Sequence, residues 1–299
     1  MAFDDLDEGW KRTIDGAKSG KAAVKVKKVE KVYGTDGKVL KDKKGKDVVK
    51  ETIVEKEKEK GWDYFDKEIQ KSVDSFNNFL KWDRNYISLD WKMIKAMMWV
   101  ETNPYSEYWD TCPMQIGVNG DPGIDDVTRG TYRELIIPKE YLAELSNKDV
   151  ISKNADTNIR AGIAYLLYSL ATYGTEDTYD KTDTKIYEYT VEKGDLGFWG
   201  IMDKLKKKGI STTMNILTGM NPSVKTLKPG STISYRKGSV QNVIKSWRAI
   251  TTPNIQKYYN RPHKLKWKDK KGKEHEKQLG DPLYSQKLDY CLTIINPKQ

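Results

Sequence analysis

The run Ser88-Leu89-Asp90-Trp91-Lys92-Met93-Ile94-Lys95-Ala96-Met97-Met98-Trp99-Val100-Glu101-Thr102-Asn103-Pro104 reads as one helix carrying an acid where a core residue belongs. Ser88 is its candidate N-cap and Pro104 its stop. Ile94, Met97, Met98 and Glu101 stand at i, i+3, i+4 and i+7 and so share a face. Three of the four are apolar, so the face is expected to point inward and to take Glu101 with it. Burial against Met97, Met98 and Trp99 would raise the pKa of Glu101, keep it protonated near neutral pH and suit it to general-acid work. The structural alternative is a buried glutamate paired with an arginine or capped by backbone amides.

Upstream, Trp62, Phe65, Ile69, Val73, Phe76 and Leu80 keep one apolar face over about five helical turns. Downstream, Cys112-Pro113-Met114-Gln115-Ile116 is an uncharged loop-like segment. Asn158-Ile159-Arg160-Ala161-Gly162-Ile163-Ala164-Tyr165-Leu166 opens a strongly apolar helix, with Gly162 available for close packing. Thr252-Pro253 starts a later helix that ends in Tyr258-Tyr259-Asn260. An acid, amides, tyrosines and a methionine are what a sugar-binding cleft uses, with rings to stack on and amides to bond acetamido and hydroxyl groups.

Composition narrows the chemistry. A chain of 299 residues is long enough for about two domains, each with its own core. The two histidines, His263 and His275, share one lysine-dense stretch, which argues against Ser–His–Asp and Cys–His enzymes. No His-Glu-x-x-His motif is present. Cys112 and Cys291 cannot build a disulfide scaffold or a four-cysteine zinc site, though they can pair with each other or pack as small apolar groups. Catalysis is therefore expected to rest on carboxylates, with no cofactor and no metal; the histidines, with Glu274 and Glu276 nearby, are read as ordinary exposed side chains.

Lys and Arg number 53 against 43 Asp and Glu, a net charge of +10. The excess sits in residues 18–60, net +7, and 263–279, net +4. Both stretches alternate apolar and charged residues and both contain Lys-Asp-Lys-Lys-Gly-Lys, at 41–46 and 268–273. That hexapeptide reads as the turn of an exposed β-hairpin. Lysine-guarded edge strands are one reading and a cationic grip on an anionic polymer is the other. Aromatic residues are not interleaved with the basic runs as a stacking platform needs, so nucleic acid is not expected. The start of the chain is acidic and lacks an apolar run, and residues 161–175 are too few to span a bilayer. The expectation is synthesis in the cytoplasm without a signal peptide and no membrane insertion.

Glu101-Thr102-Asn103-Pro104, Pro113-Met114-Gln115-Ile116, Asn158-Ile159 with Gly162 and Tyr165-Leu166, and Tyr259-Asn260 resemble, in this order, the signatures of lytic transglycosylases and goose-type lysozymes. The resemblance implies a mostly helical lysozyme-like domain that cuts the β-1,4 bond between N-acetylmuramic acid and N-acetylglucosamine in peptidoglycan. It implies Glu101 as the catalytic acid, with Thr102, Met114, Gln115, Ile116, Tyr165, Tyr259 and Asn260 binding substrate. Thr102 stands where the family usually has Ser, and Cys112-Pro113 where it has Gly-Leu. A non-hydrolytic outcome, closing a 1,6-anhydro ring, is expected ahead of hydrolysis, for which Asp110, Asp121, Asp125 and Asp126 offer a second carboxylate.

A different pattern fills Tyr187 to Arg236: Tyr189-Thr190-Val191-Glu192-Lys193-Gly194-Asp195, then short helices over 198–205 and 214–220, Asn221-Pro222, and Leu227-Lys228-Pro229-Gly230 before a closing strand. It resembles the LysM domain, a βααβ module that binds N-acetylglucosamine-containing glycans, and implies Gly194, Asp195, Asn221 and Pro222 as glycan-binding positions. The expected class is thus α+β. It comprises a lysine-rich hairpin region at 1–60, a catalytic domain in two parts at 61–185 and 238–299, and a LysM insert at 186–237. Partners implied are peptidoglycan strands and, if the chain is a delivered antibacterial effector, a cognate immunity protein. A phage muramidase and a catalytically silent wall-binding protein are the rival readings.

Overall fold

The computed structural model describes residues 3–19, 23–33, 35, 38–57, 60–121, 123–268 and 273–297. It is mixed α and β, about 44% helical, with two-stranded antiparallel sheets, as the α+β expectation requires. Two compact units divide it: Met1–Ala171 together with Trp247–Gln299, and Thr172–Ser246.

The first unit opens with α1 (Glu8–Asp15) and a hairpin of β1 (Ala23–Lys31) and β2 (Val49–Glu57), then α2 (Asp66–Leu80), α3 (Trp91–Glu101), α4 (Gly123–Arg129), α5 (Arg133–Ile136), α6 (Lys148–Lys153) and α7 (Ala155–Leu170). The second unit holds β3 (Ala171–Tyr179), β4 (Tyr187–Thr190), α8 (Gly197–Lys207), α9 (Met214–Met220), β5 (Thr232–Tyr235) and β6 (Gly238–Trp247). The chain then returns to the first unit through α10 (Thr252–Ile255), a π-helical turn at Gln256–Asn260, β7 (His263–Lys268), β8 (Glu274–Leu279) and α11 (Tyr284–Ile295). No helix among the described residues is long and apolar enough to cross a membrane.

In the first unit the middle of α3, Ile94 to Trp99, is buried, with α2 and α11 packed against the helix. Its N-cap is Asp90 and not Ser88: the Asp90 carboxylate accepts from the N–H of Lys92 at 3.0 Å. A carboxylate there also meets the positive end of the helix dipole. Its last helical residue is Glu101, because Thr102 is extended, three residues before the expected stop at Pro104. Trp62 and Phe65 precede α2 instead of lying on it, and their rings pack edge-on against Trp99 and Trp109. Lys95 is buried between Asp63 and Asp66, at 2.5 and 2.8 Å, so its charge is balanced where it stands. Arg160 on α7, one arginine that could have paired with a structural Glu101, pairs instead with Glu68 at 2.5 Å and Glu144 at 2.9 Å.

The β1–β2 hairpin runs in register from Ala23↔Glu57 to Lys31↔Val49 and continues through bridges Tyr33↔Val39 and Lys41↔Asp47. The first hexapeptide is its expected turn. The Asp42 carboxylate accepts from the N–H groups of Lys44 and Lys46, and Gly45 takes φ +77°. The second copy, at 268–273, joins β7 to β8, which pair from His263↔Leu279 to Lys268↔Glu274, but 269–272 lie outside the described residues. The side chains of His263 and His275 lie outside them too.

The second unit is a βααβ module closed by β4 and β5, which pair antiparallel from Tyr187↔Tyr235 to Thr190↔Thr232. Tyr189, Val191, Ile201, Leu205, Leu217, Ile233 and Tyr235 form its own core. The unit exceeds the expected 186–237 at both ends, because β3 and β6 pair as a ribbon leading into it. The return part of the first unit accordingly begins at Trp247 and not at 238.

Candidate active site

Glu101 occupies the last turn of α3, where the helix ends and its side chain can leave the core. It is half-buried, and its Oε1 accepts a 2.6 Å hydrogen bond from the Tyr284 hydroxyl on α11. A proton on Glu101 therefore resides on Oε2. The Glu101 carbonyl in turn accepts from Gln115 Nε2, so the backbone and side chain of this residue are held from different elements.

The 112–118 loop is built around Asn158, which is fully buried. Its Oδ1 accepts from the N–H of Met114 at 2.8 Å, while Nδ2 donates to the carbonyls of Ile116 and Ile151 at 2.8 and 3.0 Å. One amide thus replaces the backbone partners that an irregular buried loop lacks. Gly162, one turn along α7, lets Met114 lie against the helix: a Cβ there would sit 2.6–2.8 Å from three Met114 carbons. Gln115 takes a left-handed backbone, φ +55°. Cys112 and Cys291 are both buried and unpaired with each other.

These residues border a cleft of about 580 Å³, whose walls include Glu101, Met114, Gln115, Ile116, Asp121, Tyr165, Tyr259, Asn260 and Arg261. The rings of Tyr165, Tyr259 and Tyr284 form a row with centroids 5.1 and 6.2 Å apart. The π-helical turn carries Tyr259 and Asn260 into the wall; such turns recur at functional sites. Asn260 Oδ1 accepts from the N–H of Asp281 at 2.5 Å, which leaves its NH₂ as the end a ligand can use.

Burial raises the Glu101 pKa to about 7; the Tyr284 hydrogen bond opposes this, Asp121 and Asp281 reinforce it, and Lys287 opposes it. Desolvation dominates, as in a carboxyl group kept neutral for acid catalysis. The site can thus donate a proton near neutral pH to an oxygen brought to Oε2.

No known family model, curated protein or solved structure matches this chain.

The cleft unites Glu101, Met114, Gln115, Ile116, Tyr165, Tyr259 and Asn260, all expected from sequence, across four separate segments. Thr102 is not among its lining residues. It is buried, in the extended residue that follows α3, with its hydroxyl unbonded. Of the four downstream acids only Asp121 borders the cleft, and both its oxygens are engaged, by the N–H groups of Gly117 at 2.7 Å and Gly123 at 2.8 Å. Asp125 is paired with Arg129 and Lys148, and Asp110 lies 3.8 Å from Lys60. Two participants escaped the sequence reading: Tyr284 and Arg261. Among the described residues no cluster of His, Cys, Asp and Glu suits a metal.

In the second unit two expected glycan-binding residues hold their own fold together. Asp195 accepts from the N–H of Glu192 at 2.7 Å and pairs with Lys204 at 2.6 Å. The Asn221 amide bonds the carbonyls of Leu217 and Ser234 and accepts from the Ser234 N–H at 2.9 Å, stitching α9 to β5. Gly194, at φ +98°, and Pro222 are exposed. Two and five residues beyond Gly194 in the chain stand Leu196, 84% exposed, and Trp199, 66% exposed, apolar side chains of the kind that sugar rings pack on.

Proposed function

We propose that the first unit is a peptidoglycan-cutting glycosidase of the lytic transglycosylase kind, and that the second is a LysM-like glycan anchor inserted into it. One observation carries the proposal: a desolvated carboxyl group, Glu101, opens onto a tyrosine- and amide-lined cleft formed by four segments whose motifs resemble that family in order.

In this reading Glu101 donates its proton to the glycosidic oxygen as the C1–O bond breaks toward an oxocarbenium-like state. The resemblance implies that the substrate's acetamido oxygen supports C1 at that moment. Glu101, now a carboxylate, takes the proton from the C6 hydroxyl as that oxygen bonds C1, which closes the 1,6-anhydro ring. A hydrolase would need a second carboxylate to activate water. Asp121 borders the cleft but spends both oxygens on loop N–H groups, which supports the non-hydrolytic outcome.

We read it as an antibacterial effector that acts on the wall of a target cell and whose immunity protein would occlude this cleft. Mass spectrometry of digested sacculi tests the chemistry. Anhydro-muropeptides are expected, and Glu101→Gln should lower their formation by ~10²- to 10⁴-fold. Reducing-end products would instead mark a hydrolase, an unchanged rate in Glu101→Gln would show that Glu101 is not the acid, and no products from the parent chain would mark a binding protein.

A further inference from the structure

We propose that Gly280 is a positioning residue of the cleft: by letting two passes of the backbone meet, it fixes the Asn260 amide so that its NH₂ end is committed to the ligand before any ligand arrives. The inference rests on the glycosidase reading above and adds to it a residue from outside the four segments whose motifs carry that reading.

The first pass leaves the π-helical turn at Asn260 and runs through Pro262 into β7. The second returns from β8 at Leu279 and runs through Gly280 and Asp281 toward α11. Asn260, Leu279 and Gly280 all border the cleft. A Cβ on Gly280 would lie 2.5 Å from the Asn260 carbonyl oxygen, 2.8 Å from Pro262 Cα and 2.9 Å from Asn260 Oδ1. The first two are backbone atoms, so no side-chain rotation can make room. Gly280 also takes φ +68°, a left-handed backbone that a residue with a Cβ adopts at a cost. Close approach and backbone angle thus each call for glycine.

The approach brings the Asp281 N–H to 2.5 Å from Asn260 Oδ1. Asp281 is itself anchored: its Oδ1 accepts from the Leu283 N–H at 2.8 Å, and its Oδ2 pairs with Lys287 at 2.6 Å. A side-chain amide has an accepting end and a donating end, and a free one can turn either toward a ligand. Here a backbone donor in a fixed place takes the oxygen, so the amide meets the cleft as a donor. Separating the two passes would free it to rotate, and binding would then have to order it again.

Two measurements on the full chain test this. Nitrogen relaxation of the Asn260 side-chain NH₂ should give a high order parameter in the parent without ligand, and a lower one in Gly280→Ala. Steady-state kinetics on a short soluble muramyl glycan then compare the parent, Gly280→Ala, Asn260→Ala and the double variant. Gly280→Ala should raise KM roughly three- to tenfold, the cost of ordering one side chain, with kcat little changed. The double variant should be no worse than Asn260→Ala alone, because Gly280 acts through that amide; a glycine with only a structural role would add its own loss. Additive losses, or a KM unmoved by Gly280→Ala, overturn the proposal. If Gly280→Ala does not fold, the parent decides: an Asn260 amide that becomes ordered only when the glycan is added overturns it, and one ordered beforehand upholds it. No turnover by the parent would instead overturn the glycosidase reading, and the relaxation data would still decide the role of Gly280.

Discussion

Desolvation of one carboxyl group, Glu101, makes both the proposed chemistry and the stability of the first unit depend on pH. Because Glu101 must begin protonated, kcat/KM should hold below pH ~7 and fall as pH rises through that value. Folding carries the same signature. Between the ordinary glutamate value of 4.5 and about 7, the unfolded chain has lost this proton and the native one keeps it. Stability should therefore decline as pH rises across that window, and Glu101→Gln should flatten the decline in denaturant titrations. Tyr284 is a positioning residue, since it acts through Glu101. Its hydrogen bond favours the carboxylate, so Tyr284→Phe should move the alkaline limb to higher pH. It should also lower kcat about tenfold with KM little changed, as expected for a lost bond to an ionisable group. An unmoved limb would show that the bond does not reach the chemistry.

At the scale of elements, α7 shapes the cleft through what it omits. Alanine at position 162 would gain about 1 kcal/mol of helix propensity, yet its Cβ meets the Met114 Cβ and Cγ at 2.8 Å, and these atoms cannot swing away. Overpacking of this kind costs ~1–3 kcal/mol, so packing wins. Gly162→Ala should lower Tm and raise KM, whereas Gly219→Ala, on α9 where nothing crowds the added Cβ, should do neither. The inward face of α3 and the fit of Gly162 were legible because helical periodicity and residue size are local properties. Tyr284 was not, because its meeting with Glu101 depends on how α11 packs on α3, 183 residues away. Nor was the place of Arg261 visible, since no local pattern foretells a π-turn ending in a left-handed residue. Asn221 and Asp195 were legible as positions but not as roles: their motif marks loops, and only the hydrogen bonds reveal that the loops consume the side chains.

For the whole molecule, two modules with separate cores share one chain. The ends that receive the second unit are held together within the first: the Arg248 N–H bonds the Leu170 carbonyl at 2.9 Å, and its guanidinium bonds the Ala171 carbonyl at 3.0 Å. Replacing 172–246 with a short Gly/Ser linker should leave a cooperatively folding enzyme, because the closure cost is small. That variant should cut short soluble glycans near the parent rate and bind sacculi more weakly for want of a second site. An unfolded product would mean that the units do not fold independently. The β1–β2 hairpin adds charge, with Lys41, Lys43, Lys44 and Lys46 all exposed on its turn. If it grips anionic wall polymer, binding to sacculi should weaken as salt shortens screening toward ~8 Å at 0.15 M. Exchanging those four lysines for glutamine should blunt that dependence.

The long reach of the Tyr284–Glu101 bond also sets a schedule. During synthesis Glu101 leaves the ribosome 183 residues before its tyrosine, an interval of roughly 10–40 s at ordinary translation speeds. The second unit, closed by strands only about fifty residues apart, can finish folding inside that interval. The site around Glu101 cannot, because α3 waits for α11. A nascent or prematurely terminated chain would thus carry a finished second unit and a first unit whose Glu101 still lacks its tyrosine.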